Sequence, residues 1–201
     1  MVGPTGAVIG CDRDARRLDT LTQAAVRARA AAIVRPLHAD FLTLDPATDA
    51  TLAGVRAVLL DPSCSGSGTA AVRGDWLGAG GEGTEEGGTD AARLDRLASF
   101  QEVALTHALS SFPAATRVTY STCSVHVREN EAVVATALGG PGGRAGGWAL
   151  EAALPAWHRR GLAGAAPGLT DAEAACLVRV DPEADETDGF FVALFVRGEQ
   201  K

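Results

Sequence analysis

Two cysteines and one aspartate are the residues best suited to chemistry in this chain. Asp61 and Cys64 lie in the segment DPSCSGSG, and Cys123 lies in YSTCS. An apolar run leads into each segment, VRAVLLD into the first and RVTYS into the second. Because the carboxyl ends of parallel strands meet at one edge of a sheet, we expect the two thiols and the acid to face one cleft. Thiols and an acid in such a place predict covalent chemistry on an electrophilic carbon.

Each cysteine also has an ordinary structural explanation. Cysteine is often buried, so a single cysteine at a strand end is commonly a small packing residue. For Cys64 and Cys123 the occurrence of both segments in this order favours chemistry instead. The run CSGSG has two explanations as well. Gly66 and Gly68 can let the backbone approach a base or a phosphate closely, or they can simply form a tight connection between a strand and a helix.

The elements that must position these residues alternate between strands and helices. Apolar runs predict strands at AVIGCD, IVRPLHAD, VRAVLLD, RVTYS, CLVRV and GFFVALFVR. Helical spacing of apolar residues predicts helices at DARRLDTLTQAAVRARAAA, LDRLASFQEVALTHALS and VRENEAVVATAL. Pro36 lies inside the second strand, which predicts an edge strand or a bend. The alternation predicts an α/β doubly wound, Rossmann-like sheet of about six strands, and residues 73–90 predict a flexible acidic Gly-rich loop.

Composition restricts the class of protein. With 201 residues and 46% hydrophobic content, the chain can bury one core. No apolar run approaches the length of a membrane span, and nothing in the sequence indicates secretion. The four cysteines have no C-x-x-C spacing, which argues against a zinc site or a disulfide scaffold and favours a reducing compartment. The net charge of −7 argues against RNA binding by this segment alone, although arginines cluster within residues 13–35.

Four segments resemble the motifs of one enzyme family. AVIGCDRDARRLDTL is similar to the family's second motif, HADF to the third, DPSCSGSG to the fourth and YSTCSVHVRENEAVV to the sixth. On these residues the chain resembles the Sun-domain (Nol/Nop/Sun, RsmB-like) RNA cytosine-C5 methyltransferases, which use S-adenosylmethionine. DPSCSGSG and the ending LPAWHRRGL…CLVRV…GFFVALF are similar to the eukaryotic subgroup that methylates large-subunit ribosomal RNA.

The resemblance implies a role for each catalytic candidate. The thiolate of Cys123 would add to C6 of cytosine, which turns the weakly nucleophilic C5 into an enamine-like carbon. Cys64 would help to remove the C5 proton or to release the product. Asp61 would hold the base near N3 and its exocyclic amine, and it is also implied in cofactor binding.

The resemblance also implies a partner and a location. The partner would be RNA, most specifically ribosomal RNA, with its cytosine taken from a loop or flipped out of a stack. The location would be the nucleus or nucleolus.

Three further residues would bind the adenosine end of S-adenosylmethionine. Asp12 ends a strand, where an acid commonly accepts hydrogen bonds from ribose hydroxyls. Its other possible role is to cap the following helix, for which Asp14 is a rival. Arg17 occupies a cofactor-site position in the resemblance and is otherwise a solvated helix arginine. Asp40 would meet the adenine amino group and is otherwise a turn residue.

One motif of the family is absent from the pattern. No Gly/Pro-rich D-x-C-A-x-P-G-x-K loop precedes Val8, so we expect residues 1–201 to be a partial methyltransferase domain without its central first strand. We expect the sheet to be split between the strands that end at Asp12 and Asp61. Two functions remain open from the sequence: an RNA cytosine-C5 methyltransferase, or a catalytically silent remnant that acts, if at all, as a binding module.

Overall fold

The computed structural model describes residues 6–69 and 91–198 of the chain. The acidic loop predicted at residues 73–90 lies outside the described residues. The chain divides into two compact units, Met1–Asp45 and Pro46–Lys201. The described strands form one sheet of two strands in the first unit and one of five strands in the second. The α/β class is therefore confirmed, and the strands that lead to Asp12 and Asp61 lie in different sheets, as expected.

The first unit consists of two parallel strands joined by a helix. Its elements are β1 (Val8–Asp12), α1 (Ala15–Arg27) and β2 (Val34–His38). The register places Asp12 opposite His38, so the carboxyl ends of both strands lie together. α1 begins after Asp14, whose carboxylate accepts hydrogen bonds from the first backbone N–H groups of the helix. β2 contains Pro36 and pairs, among the described strands, with β1 alone, which confirms the predicted edge position.

The second unit is built on a mixed sheet. Its strands are β3 (Ala57–Leu60), β4 (Arg117–Thr122), β5 (Ala149–Glu151), β6 (Val178–Val180) and β7 (Phe190–Val196). The order is β3-β4-β7-β5, and β6 also pairs with β7. β3 and β4 are parallel, whereas β7 is antiparallel to its three partners. The described strands number seven rather than about six. The unpredicted strand is β5.

Helices cover this sheet and bury its core. They are α2 (Ala50–Ala53), α3 (Ala91–Ser111), α4 (Glu131–Gly139) and α5 (Asp171–Ala174), with 3-10 turns at Val127–Glu129 and Arg144–Gly146. Fully buried side chains from α3, β4 and β7 form the centre of the core: Leu105, Leu109, Val118, Tyr120, Phe191 and Phe195. The helix predicted at VRENEAVVATAL is interrupted at Asn130, whose backbone is not helical (φ −115, ψ −99). None of the described helices is both long and apolar enough to cross a membrane.

Candidate active site

The two predicted cysteines meet at the carboxyl edge of β3 and β4. These strands are parallel neighbours, with Leu60 opposite Tyr120. Cys123 directly follows the last residue of β4, and Cys64 lies in the loop after β3. Their sulfurs are 3.2 Å apart, which is within hydrogen-bonding distance for two thiols. The expected meeting of the two thiols at one sheet edge is confirmed, while their catalytic roles stay predictions.

The surroundings of Cys64 disfavour its ionisation. Burial raises the pKa of the Cys64 thiol from 9.0 to about 12, and the hydrogen bond to Cys123 and the charge of its sulfur act in the same direction. Cys64 therefore keeps its proton at neutral pH, and its S–H is the donor whenever Cys123 is a thiolate. The pair can present one nucleophilic thiolate beside one thiol that can exchange a proton.

Asp61 lies at the same edge, directly after β3. Its Oδ1 accepts a hydrogen bond of 2.9 Å from the hydroxyl of Ser121, which is the fifth residue of β4. The residue is exposed, and a carboxylate that accepts one such bond can still accept others from a ligand. The structure thus brings all three predicted catalytic residues to the ends of two adjacent strands.

Gly68 joins the loop after β3 to the loop after β4. Its N–H donates to the carbonyl of Cys123 at 2.9 Å, and its carbonyl accepts from the N–H of Gly189 at 2.8 Å. A Cβ at position 68 would lie less than 3.0 Å from three backbone atoms of Gly189. Gly66 has a positive φ of 72°, which favours glycine. The structure therefore supports the second explanation of CSGSG, a tight connection. The close approach that Gly68 allows is to the backbone of Gly189.

A buried polar network, which the sequence analysis did not predict, holds the loop after β3. Glu129 is fully buried, and its carboxylate accepts hydrogen bonds from the Ser65 N–H (2.9 Å) and the Ser65 hydroxyl (2.6 Å). The amide of Gln101, which is also fully buried, donates to Glu129 at 3.0 Å and to the carbonyl of Ser63 at 2.9 Å. The hydroxyl of Tyr120 donates to the Glu129 carbonyl at 2.6 Å. These hydrogen bonds fix the backbone on both sides of Cys64, at Ser63 and at Ser65.

Asn130 performs a similar task for the loop that carries Cys123. Its Oδ1 accepts a hydrogen bond of 2.6 Å from the Thr122 hydroxyl, and its amide donates to the Ser124 carbonyl at 2.9 Å. Asn130 is fully buried, so these bonds satisfy groups that water does not reach. This use of the side chain explains why the predicted helix breaks at Asn130.

A buried ion pair supports the same loop from the far side. Glu131 is fully buried, and Arg179 of β6 binds its carboxylate through two bonds of 2.6 Å. Arg179 also donates to the carbonyl of Val125 at 2.9 Å. Removing either member would leave an uncompensated buried charge, which is strongly destabilising. The pair therefore couples β6 to the segment that follows Cys123.

In the first unit, the structure distinguishes between the two roles considered for Asp12, cofactor binding and helix capping. Asp14 is the N-cap of α1, so the capping role for Asp12 is wrong. Asp12 instead accepts a hydrogen bond from the Asp14 N–H at 2.9 Å and pairs with Arg17 at 3.1 Å. Arg17 is therefore tied to the other predicted cofactor residue rather than simply solvated, although its side chain is largely exposed.

Asp40 follows β2 and lies near the end of β1. It is the N-cap of a 3-10 turn, Phe41–Thr43, and accepts a hydrogen bond from the Leu42 N–H at 3.0 Å. Burial raises the pKa of the Cys11 thiol, and the negative charges of Asp12 and Asp40 raise this pKa further. Both carboxylates thus lie close to Cys11 at one end of the two-stranded sheet.

The comparison with protein families decides the family of the chain. A family model described as 16S rRNA methyltransferase RsmB/F matches residues 1–196. The chain belongs to this family. The resemblance found in the sequence to RsmB-like enzymes is confirmed by this match.

Curated relatives of this RsmB/F family member carry more specific names. The 25S rRNA (cytosine-C(5))-methyltransferase NSUN5 of Arabidopsis thaliana is 43% identical over 192 residues, which cover 96% of this chain and 32% of the relative. The 28S rRNA (cytosine-C(5))-methyltransferase of Mus musculus is 41% identical over 194 residues, covering 96% of this chain and 38% of the relative. The chain therefore spans well under half the length of these relatives.

A solved structure supports the fold. A methyltransferase homolog protein from Pyrococcus horikoshii has a TM-score of 0.68 at 22% identity, covering 96% of this chain and 54% of that one.

No group of three or more His, Cys, Asp or Glu side chains within residues 6–69 and 91–198 is arranged to hold a metal ion.

Gln101, Glu129 and Arg179 are the site residues that sequence reasoning missed. One signal for Gln101 was available: it lies on a helix face otherwise formed by alanine and leucine, at residues 98, 104, 105, 108 and 109. Glu129 and Arg179 gave no comparable signal, because acids and arginines are usually solvated and their burial depends on contacts between distant segments.

Proposed function

We propose that the chain forms part of an enzyme that methylates C5 of cytosine in large-subunit ribosomal RNA, with S-adenosylmethionine as the methyl donor. The names of the two curated relatives support the substrate and the position of methylation. The observation that carries the chemistry is the 3.2 Å contact between the sulfurs of Cys64 and Cys123. A nuclear or nucleolar location belongs to the same proposal, since it follows from the ribosomal RNA substrate.

Cys123 is the nucleophile in this proposal. Its sulfur forms a bond to C6 of cytosine, which breaks the aromaticity of the ring and moves electron density to C5. S-adenosylmethionine, when bound, supplies the methyl group that C5 takes. The C5 proton then leaves, and the C6–S bond breaks to restore the aromatic base and the free thiolate. Cys123 suits this task because the neighbouring thiol can donate a hydrogen bond to its thiolate.

Cys64 is the proton-handling partner. While Cys123 is a free thiolate, its charge and hydrogen bond help to raise the pKa of Cys64 to about 12. When Cys123 is bonded to C6, its sulfur carries no charge, so this contribution disappears and Cys64 ionises more readily. A larger fraction of Cys64 is then thiolate, which is the form that can accept the C5 proton.

Asp61 is proposed to bind the cytosine. Its carboxylate is held by the Ser121 hydroxyl at the edge that carries both thiols. A carboxylate there can accept a hydrogen bond from the exocyclic amine or from a protonated N3, which stabilises the adduct. The same carboxylate can also contact the methyl donor, as the family resemblance implies.

Asp12, Arg17 and Asp40 are proposed to bind the adenosine end of the cofactor. The residues fit this group, because two carboxylates lie at the carboxyl ends of parallel strands, where nucleosides commonly bind. One oxygen of Asp12 faces the Asp14 N–H and the other faces Arg17, so both are oriented. A carboxylate has about four lone-pair sites, which leaves capacity for the ribose hydroxyls.

Covalent trapping on RNA tests the assignment of the two cysteines. In the complete protein that carries this segment, Cys123→Ala should abolish both methylation and the covalent RNA adduct, whereas Cys64→Ala should accumulate the adduct because release is impaired. Denaturing gels with labelled ribosomal RNA separate the adduct from free RNA. Cys176→Ala is the matched control and should behave like the unchanged protein, because its thiol donates only locally, to the carbonyl of Ala172 in the short helix just before it.

Two results would contradict the proposal in different ways. An adduct that persists in Cys123→Ala and disappears in Cys64→Ala would reverse the roles of the cysteines. A complete protein that neither methylates ribosomal RNA nor forms an adduct would favour the catalytically silent module.

A further inference from the structure

We infer that Gln101 and Glu129 are positioning residues that hold Cys64 beside Cys123. This inference rests on the proposed function, since it concerns the same two thiols. We call the two residues the Gln101–Glu129 pair. The pair acts through the backbone on both sides of Cys64. Gln101 lies in α3, and Glu129 lies in the turn at Val127–Glu129.

The bonds of the pair enclose Cys64 from both directions. Gln101 donates to the carbonyl of Ser63, the residue before Cys64, and Glu129 accepts from the N–H of Ser65, the residue after it. The loop has no regular secondary structure that would fix these two peptide groups. The pair therefore restricts the orientation of the backbone from which the Cys64 side chain projects.

The Gln101–Glu129 pair is also hydrogen-bonded to β4, the strand that leads to Cys123. The single hydroxyl proton of Tyr120, in β4, is shared between the Glu129 backbone carbonyl at 2.6 Å and Gln101 Oε1 at 3.2 Å. Glu129 itself lies six positions after Cys123 in the chain. One cluster of bonds thus reaches both cysteine-bearing loops, which is what a fixed distance between their sulfurs requires.

The burial of the pair argues that its bonds have a purpose beyond packing. Both side chains are fully buried, and Gln101 lies on the face of α3 that also buries Leu105 and Leu109. A buried carboxylate is costly unless it is well hydrogen-bonded, and apolar residues of similar volume often pack as stably. The polar groups are matched to the loop: Glu129 accepts three bonds, and each donor comes from the Cys64 loop or from Gln101.

A thiol–disulfide equilibrium measures how firmly the two sulfurs are held together. When the reduced protein meets glutathione disulfide, an S–S bond forms between Cys64 and Cys123, and two electrons and two protons pass to the oxidant, which becomes two molecules of glutathione. The equilibrium constant is the effective concentration of one protein thiol at the other. Loosening the Cys64 loop lowers this constant, since more freedom is lost on closing the bond.

The experiment uses the 201-residue chain with Cys11→Ser and Cys176→Ser, so that only one disulfide can form. In this background Glu129→Gln and Gln101→Leu are compared with the unchanged pair. Glu102→Gln is the matched control, because Glu102 neighbours Gln101 on α3 and pairs with Arg128 but contributes no bond to Ser63 or Ser65. Alkylation and mass spectrometry at several glutathione ratios give the equilibrium constant.

We expect Glu129→Gln and Gln101→Leu each to lower the constant at least tenfold, which makes the potential less negative by about 30 mV. Glu102→Gln should leave it within about twofold. A constant that is unchanged or higher in both pair variants would overturn the inference, as would an equal decrease in the Glu102→Gln control. Circular dichroism checks folding, and if one pair variant is unfolded the other decides.

This readout does not depend on methyl transfer. The pair variants can lower the equilibrium constant as expected even if the complete protein forms no RNA adduct. This combination would remove the proposed function but keep the positioning role. The opposite result would keep the proposed chemistry and remove the role of the Gln101–Glu129 pair.

Discussion

At the carboxyl end of β1, two aspartates have different tasks. Asp14 caps α1 through bonds to the backbone N–H groups of Arg16 and Arg17, at 2.8 and 3.3 Å. Asp12 does not cap the helix, and its carboxylate is oriented by the Asp14 N–H and by the Arg17 side chain. This separation makes it possible to change the proposed cofactor ligand without removing the helix cap.

Asp12→Ala should weaken the binding of S-adenosylmethionine by an order of magnitude or more in the complete protein that carries this segment. Hydrogen bonds to a charged carboxylate contribute roughly 1.5–3 kcal/mol, and each 1.4 kcal/mol corresponds to about tenfold in affinity. The Arg17 side chain of the Asp12–Arg17 pair is largely exposed, so this ion pair adds little to stability. Isothermal titration calorimetry measures the affinity directly.

Asp14→Ala is the control for this experiment. Loss of the cap should lower the free energy of unfolding by about 1 kcal/mol while changing the cofactor affinity by no more than about twofold. Unchanged affinity in Asp12→Ala, or an equal loss of affinity in both variants, would refute the role of Asp12 as a cofactor ligand.

At the scale of residues, the sequence predicts what lies in short motifs. Cys64, Cys123 and Asp61 could be singled out because each follows a recognisable apolar run, and their meeting depends only on two strands being parallel neighbours. The Gln101–Glu129 pair could not be found in this way. Its members lie 28 positions apart, and two of the groups they bind beside Cys64 are backbone groups, which show no side-chain pattern.

At the scale of elements, the contact between Gly68 and Gly189 links the start of β7 to the loops that carry both thiols. Gly68→Ala should lower the free energy of unfolding by about 1–3 kcal/mol, since overpacking a closely packed site costs this much. The added Cβ would lie less than 3.0 Å from backbone atoms of Gly189, which cannot move as a flexible side chain would. Urea denaturation of the 201-residue chain measures the change as a lower midpoint.

Gly54→Ala is the matched control for that substitution. A Cβ at Gly54 would meet no heavy atom within 4 Å, and the residue has an ordinary φ of −91°. We therefore expect a change within about 0.5 kcal/mol. If both variants are equally stable, the close approach at Gly68 does not restrict the residue type there.

The elements themselves were predictable to different degrees. Strongly apolar strands such as β3, β4 and β7 could be located from composition alone, although each fully buries only alternate residues. β5 could not, since its three residues become a strand only by pairing with β7. The break before α4 could not be predicted either, because it depends on hydrogen bonds of Asn130 with Thr122 at the end of β4 and with Ser124 in the loop that follows.

At the scale of the whole molecule, the two units differ in how much they bury. Among the described residues of the first unit, 6–45, Ala25 alone is buried. In the second unit, β4 and β7 contain residues with no exposed surface, including Val118, Tyr120 and Phe195. Since apolar burial is the main source of stability, the free energy needed to open the two units should differ.

Hydrogen exchange should therefore show two levels of protection in the 201-residue chain. Amides of the two-stranded sheet, such as the N–H of Val8 bonded to the carbonyl of Ile33 just before β2, should exchange through local opening. Amides between β4 and β7 should exchange only through global unfolding, with protection at least about tenfold higher. Mass spectrometry of peptides from both sheets in one sample makes the comparison internal. Equal protection in both sheets, lost together as urea is added, would show instead that the units unfold as one cooperative structure despite their unequal cores.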